Sequence, residues 1–229
     1  LFWGVVWILV LDFWAIQSAR HYGSGIDDML LYAGSTTIIM SLWTLLPNAA
    51  GPLTWSCVAW PFLVAGSIRY LDRLMAAAAL ICSLAIVLLV VYEIPLAALY
   101  LLPFAGMLFS AVAWQFSRTG QQEVAWRHWH GALLVVELLA LLLFYASGNY
   151  WIVQQSAYAW FELEQAPLAW FFWAFTFVVP VCYVYFGLRR KDRLMLDSGL
   201  ACLGAAVFTY RYYFHVMPLA WAAAIGGAI

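Results

Sequence analysis

Long apolar runs, each close to the length of a bilayer-spanning helix, follow one another along the chain with short polar breaks between them. About 20 apolar residues cross a hydrocarbon core at ~1.5 Å per residue. The runs fall at residues 1–19, 28–47, 52–68, 74–92, 95–117, 131–148, 168–188 and 194–213, and a ninth begins near Pro218. The breaks carry turn formers: Gly23-Ser24-Gly25, Pro47-Asn48-Ala49-Ala50-Gly51-Pro52, Glu93-Ile94-Pro95 and Ala166-Pro167. Alternation with period two is absent and the runs exceed strand length, which argues against an outer-membrane barrel. The pattern predicts an all-α integral membrane protein with eight or nine transmembrane helices in one domain over residues 1–229.

Charge sharpens this into a topology. Of the 10 Lys and Arg, all but Arg211 lie in every second loop: Arg20; Arg69 and Arg73; Arg118 and Arg127; Arg189, Arg190, Lys191 and Arg193. Basic loops are retained on the cytoplasmic side, so a bacterial inner-membrane protein with these loops in the cytoplasm is expected. Glu93, Glu162, Glu164, Arg211 and His215 then face outward, as does residue 1. The chain begins and ends inside apolar runs and reads as part of a longer protein. The first run lacks a basic flank and a small-residue cleavage site, unlike a signal peptide.

Composition agrees. Of 229 residues 67% are hydrophobic and 9% charged, against about 25% charged in a soluble domain. The 14 Trp, 13 Tyr and 15 Phe gather at the ends of runs, where rings with one polar edge sit at headgroup level. The net charge of -1 says nothing about partners, and no basic tract suits nucleic acid or a strongly anionic surface. Cys57, Cys82, Cys182 and Cys202 lie in apolar runs without a CxxC pair and read as small apolar filler.

The chain repeats itself. Pro52-Leu53-Thr54-Trp55 returns as Pro167-Leu168-Ala169-Trp170, Asp72-Arg73-Leu74-Met75 as Asp192-Arg193-Leu194-Met195, and Pro95-Leu96-Ala97 as Pro218-Leu219-Ala220. Candidate repeats are 1–94 and 95–217. An even number of spans in each inserts both the same way up, a parallel repeat about the membrane normal.

Carboxylates inside apolar runs are the residues most in need of an explanation, because each costs roughly 2.5–3.5 kcal/mol to insert. Asp12, Glu137 and Asp197 form the candidate intramembrane polar site. Asp12 has Arg20 two turns on, and Asp197 has Arg193 one turn back, so both have local partners to pair with. Glu137 has no basic neighbour in its own run, while Leu133, Leu134, Leu138, Leu141 and Leu142 offer lipid-facing surface. It is therefore expected to face protein, with Asp12, a hydroxyl or water in reach. Arg211, with Glu93, Glu162 and Glu164, forms a candidate outer-side pair; an aromatic belt with one snorkelling Arg reads the same residues more simply. Residues 149–168, with Trp151, Tyr158, Trp160 and Phe161, predict a short interfacial helix.

Trp126-Arg127-His128-Trp129-His130 reads as an interfacial anchor, since His at i and i+2 point to different sides of a helix and no third ligand has the right spacing. The lone lysine, Lys191, sits in a loop, which excludes a retinal Schiff base. No cofactor is expected. The Arg-bearing turns and the stretch from Asp192-Arg193-Leu194-Met195 through Tyr210-Arg211-Tyr212-Tyr213 to Pro218-Leu219-Ala220-Trp221 resemble uncharacterised bacterial multispan membrane proteins grouped as domains of unknown function. The resemblance covers mainly residues 188–229 and brings no activity or site residue with it. Two functions remain: a transporter or permease-like protein with the acids near its path, and a non-catalytic accessory subunit packing on other membrane subunits. The expected partners are membrane lipids and, for the second, those subunits. A lipid-modifying enzyme lacks a nucleophile–base pair.

Overall fold

A computed structural model describes residues 1–17, 26–45, 51–94 and 98–214. Among them the chain is all-helical. The helices are α1 (Phe2–Gln17), α2 (Ile26–Leu45), α3 (Pro52–Tyr70), α4 (Arg73–Tyr92), α5 (Ala98–Gln122), α6 (His130–Gly148), α7 (Tyr150–Phe161), α8 (Ala169–Arg190) and α9 (Arg193–Phe214). A 3-10 helix, Val124–Trp129, leads into α6. Among the described residues, each of the eight complete apolar runs contains a helix. The expected ninth, from Pro218, lies outside the described residues, as do Arg20 and His215.

Among the described residues, four helical stretches are long and apolar enough to cross a membrane: Arg73–Tyr92, Ala98–Gln122, Val124–Gly148 and Ala169–Arg190. That is fewer than the eight or nine expected. Helices α2, α3 and α9 fall short through polar content, which makes transfer into hydrocarbon less favourable residue by residue. Asp27, Asp28, Ser35, Thr36 and Thr37 dilute α2, Pro61 and Arg69 interrupt α3, and Arg193, Asp197 and Arg211 sit in α9. In α1 the apolar stretch Phe2–Phe13 is shorter.

The chain divides into two compact units. Unit 1 comprises Leu1–Pro95 and Val112–Leu139, and unit 2 comprises Leu96–Ala111 and Ala140–Ile229. The division passes through α5 and α6, so the units do not follow the candidate repeats 1–94 and 95–217: residues 112–139 belong with the first repeat's segment. In unit 1, Leu11, Leu31, Tyr70 and Met75 form a core joining α1, α2, α3 and α4. In unit 2, Met107, Tyr150, Val153, Ala157, Ala166 and Phe172 form another. The buried residues of α7 (Tyr150, Val153, Ala157) recur at helical spacing. The predicted short helix therefore docks one face on protein while Tyr158 and Trp160 stay exposed. Gln154 ties the following loop back: its Nε2 donates to Glu164 O at 2.8 Å and its Oε1 accepts from Ala166 N at 2.9 Å.

The two Asp-Arg-Leu-Met segments have the same local structure. Leu71 and Lys191 both adopt φ 55°, a left-handed turn that reverses the chain. Asp72 Oδ1 then accepts from Met75 N at 2.7 Å and Asp192 Oδ1 from Met195 N at 3.1 Å, each capping the helix that follows. Met75 and Met195 are both buried beneath the turn. In unit 2 the hairpin is the tighter: a Cβ on Gly187 would lie 2.8 Å from Leu196 N, so only glycine lets α8 and α9 approach there.

Candidate functional site

Glu137 lies on a continuous buried stripe of α6. Leu133, Glu137 and Leu141 are spaced by four, and with Ala140 and Tyr145 all are buried, Glu137 itself being 4% exposed. A helix advances about 100° per residue, so residues four apart share a face. That corrects part of the lipid-facing surface expected around it. Leu133 and Leu141 turn inward with the carboxylate, and Leu134, Leu138 and Leu142 are only half-buried.

Its partners come from α5. Gln121 Nε2 donates to Glu137 Oε2 at 2.8 Å, and Arg118 Nε lies 3.4 Å from Oε1. Arg118 and Gln121 are three apart and so present to one side of α5. Both carboxylate oxygens are thus engaged by the neighbouring helix. Arg118 Cζ also sits 5.6 Å from the ring centroid of Trp114, one turn back, a cation–π contact that keeps the guanidinium in place. Glu137 therefore has a cation after all, supplied across the hairpin and not along its own helix. The apolar run ended at residue 117, which put Arg118 in a loop. The helix in fact continues to Gln122, and the extra turn carries both partners. The signal was there in Arg118 and Gln121 at i, i+3.

The geometry is that of a buried, hydrogen-bonded ion pair with one wet end. The Glu137 side chain is 5% exposed and that of Arg118 is 32% exposed. Taking a carboxylate out of water is repaid only if a countercharge and further donors accompany it, and Arg118 with Gln121 meets both conditions. Such a pair holds a charge in an apolar layer and can be opened by a proton on the carboxylate or a competing cation.

Asp12 sits in a separate contact. Its Oδ1 accepts from Arg69 Nε at 3.2 Å, Arg69 Nη2 at 3.1 Å and the Tyr70 hydroxyl at 2.8 Å, so α1 is tied to the end of α3. Close by in the chain, the Tyr32 hydroxyl donates to Asp72 Oδ2 at 2.8 Å. Asp12 and Glu137 share no partner. Asp197 is exposed on α9 in unit 2, and no ion pair joins it to Arg193 or Arg190. The three acids are thus held in three different ways.

Of the residues expected on the outer side, Glu93 caps the end of α4 and is exposed. Glu162 ends α7 in a left-handed conformation with φ 55°, and its side chain and that of Glu164 are exposed. Arg211 is half-buried in the last turn of α9 and forms no ion pair with Glu162 or Glu164. It stands in an aromatic setting, with Tyr213 packed 5.6 Å from Trp173 and 5.1 Å from Tyr150, centroid to centroid.

Unit 2 also holds a neutral polar cluster that the linear pattern hid. Asn149, 2% exposed, begins α7. Its Nδ2 donates to the Tyr145 hydroxyl at 2.8 Å and to Thr209 Oγ1 at 3.2 Å, and its Oδ1 accepts from Trp151 N at 2.9 Å. Thr176 Oγ1 accepts from Tyr150 N at 2.9 Å, and the Tyr183 hydroxyl donates to Leu141 O at 3.2 Å. Gly148 fits this corner because a side chain there would run into Met107 and Phe175. These groups satisfy one another and tie α6, α7, α8 and α9 together. The clue was the Gly148-Asn149 break at the end of an apolar run, where Asn is a strong helix-start residue.

The stretch from Trp126 to His130 forms the 3-10 turn and the first residue of α6, with exposed Arg127, His128 and His130. Trp126 packs edge-on against Phe116 and Trp129 at centroid distances of 5.3 and 5.5 Å. No family model, curated protein or solved structure matches the chain, and its function is read from these residues and their geometry alone.

Proposed function

We propose that the chain is a multi-pass inner-membrane protein of permease-like type, with the Arg118–Glu137–Gln121 cluster as the polar element beside its path. One observation carries this reading: a carboxylate 4% exposed, in a helix apolar and long enough to cross a membrane, with both oxygens held by the adjacent helix. Ionisable groups at membrane depth are costly, and they mark ion or substrate routes more often than lipid-facing surface. A pair split between two helices joins the protonation of one residue to the packing of both. No catalytic step is assigned to it.

The wider topology belongs to the same proposal. Eight or nine spans, with Arg69, Arg73, Arg127 and Arg189 to Arg193 in the cytoplasm, follow from the alternation of basic loops. Two parallel repeats are supported by the matching left-handed turns and Asp caps at Leu71-Asp72 and Lys191-Asp192.

The second reading is an accessory subunit of a larger membrane complex. It draws on the share of each apolar window that is buried, between 22% and 39% over the four candidate spans. The remainder needs lipid or a partner helix against it.

Reconstitution into proteoliposomes separates the two. In the permease reading, Glu137→Gln abolishes pH-dependent flux of a cation or small solute while expression and helicity persist. In the accessory reading, no flux exists to lose, and the same change weakens co-purification with partner subunits. Wild-type vesicles with no proton-linked flux for any solute class tested would sink the permease reading.

A further inference from the structure

No basic tract exists in the sequence, yet folding assembles a basic and aromatic patch at one end of unit 1. Two of the candidate spans begin there: α4 at Arg73, and the stretch Val124–Gly148 that contains α6. Trp129 Nε1 donates to Ile68 O at 3.3 Å, which seats the 3-10 turn against the end of α3. The Arg73 side chain then reaches across to α6. A Cβ on Gly131 would lie 2.9 Å from Arg73 Nε and 3.2 Å from Nη2, so the guanidinium occupies the space that glycine leaves open. Arg127 and His128 precede Gly131 by four and three residues, in the 3-10 turn that Trp129 seats against α3.

Arg73 and Arg127 of this patch are not spent on carboxylates. Arg69, at the same turn, is bound to Asp12, and Asp72 is held by Tyr32 and by Met75 N. Arg73 and Arg127 are exposed and form no ion pair with a described carboxylate, including the exposed Glu123. Trp126 and Trp129 flank them, half-buried. A guanidinium fixed over Gly131, with a second arginine on the adjoining 3-10 turn between two indole rings, suits a phosphate at headgroup depth. The indoles place the site at the boundary of acyl chains and headgroups, which favours a lipid over a free ion.

We propose that this end of unit 1 binds the phosphate of an anionic phospholipid, with Arg73 and Arg127 as its ligands and Trp126 and Trp129 against the adjoining acyl chain. The site rests on the membrane reading given above, and not on transport.

The test uses the full chain purified in nonionic detergent and titrated with phosphatidylglycerol, phosphatidylcholine or inorganic phosphate. Phosphatidylglycerol should bind more tightly than phosphatidylcholine. The double change Arg73→Gln with Arg127→Gln should weaken it by about tenfold or more, while Arg189→Gln with Arg193→Gln, an equal loss of charge in unit 2, should leave it unchanged. Gly131→Ala should also weaken it at unchanged net charge, because the new methyl group displaces the Arg73 guanidinium. Equal binding of the two lipids overturns the proposal, as does wild-type affinity in the double variant. Inorganic phosphate that displaces phosphatidylglycerol at matched concentration makes this a free-anion site and overturns the lipid assignment. If the double variant loses its helical circular dichroism, Gly131→Ala and the wild-type lipid comparison decide. Alkaline carbonate washing of membranes separates the failures. Release of the chain defeats the membrane reading itself, whereas retention without lipid preference defeats only this site.

Discussion

Unit 1 and unit 2 solve the same problem with different chemistry. Each must place polar side chains among apolar helices. Unit 1 does so with charges in complementary sets, Glu137 with Arg118 and Gln121, and Asp12 with Arg69 and Tyr70. Unit 2 does so with neutral groups, Asn149, Tyr145, Thr209 and Thr176, closed on one another and on backbone. A neutral network has little to exchange with ions and mainly fixes geometry. A buried charge pair is sensitive to protons, to competing cations and to helix displacement. Functional chemistry is accordingly sought in unit 1, and architectural rigidity in unit 2.

The strongest way to break that contrast is to remove Arg118. Arg118→Gln leaves the Glu137 carboxylate buried without its countercharge, and thermal unfolding in detergent should show a loss at the low end of ~3–5 kcal/mol, because the guanidinium is partly wet. Adding Glu137→Gln should restore much of it, since a neutral amide pair needs no countercharge. If the double variant is no more stable than Arg118→Gln alone, the two residues are not a charge pair.

In unit 2, Asn149→Ala should cost about 1–3 kcal/mol, the penalty for leaving Thr209 and Tyr145 short of partners and α7 without its cap. This loss should be the same at pH 5 and pH 8, since Asn and Thr do not ionise and a tyrosine hydroxyl ionises only well above that range. A loss that grows with acid would place a charge in the unit 2 network.

The matching turns sharpen the comparison from another side. Gly187→Ala forces a methyl group toward the Leu196 backbone, which cannot step aside, and should cost about 1–3 kcal/mol. Gly66→Ala, in the unit 1 hairpin, meets the flexible Met75 Cγ at 3.4 Å and should fall within about 0.5 kcal/mol of wild type. Comparable losses at both would show that the two hairpins are equally tight.

Asp12→Asn should have a small effect on melting temperature, below every change described above except Gly66→Ala. Asp12 keeps its Tyr70 hydroxyl donor as an amide oxygen, and the Arg69 side chain is 62% exposed, so water screens the lost charge. A drop as large as that of Arg118→Gln would make Asp12 a second buried site.

The helices themselves were legible in the sequence. Apolar runs bounded by Gly, Pro and Asn define segments that match α1 to α6, α8 and α9 closely, because hydrophobic length and helix breakers act locally. The two Asp-Arg-Leu-Met segments share one local structure, an Asp cap on the helix that follows. Boundaries gave way where polarity and helicity part company. Residues 118–122, Arg-Thr-Gly-Gln-Gln, ended the apolar run and yet continue α5, and this hid the partners of Glu137. Of the eight or nine membrane-length helices expected, four among the described residues qualify by length and apolarity, because α2, α3 and α9 carry more polar residues than those four.

By itself the sequence determined that this chain is helical, rich in apolar surface, and burdened with a few acids that need company. Those properties follow from side-chain chemistry and spacing along one segment. Only the tertiary structure decided who keeps that company. Arg118 and Gln121 reach Glu137 across a hairpin, Arg69 reaches Asp12 from another helix, Thr209 reaches Asn149 over sixty residues of chain, and Arg73 comes to rest over Gly131. Pairing between helices depends on their rotation and register, which follow from the packing of whole faces and are not encoded in any one stretch of residues.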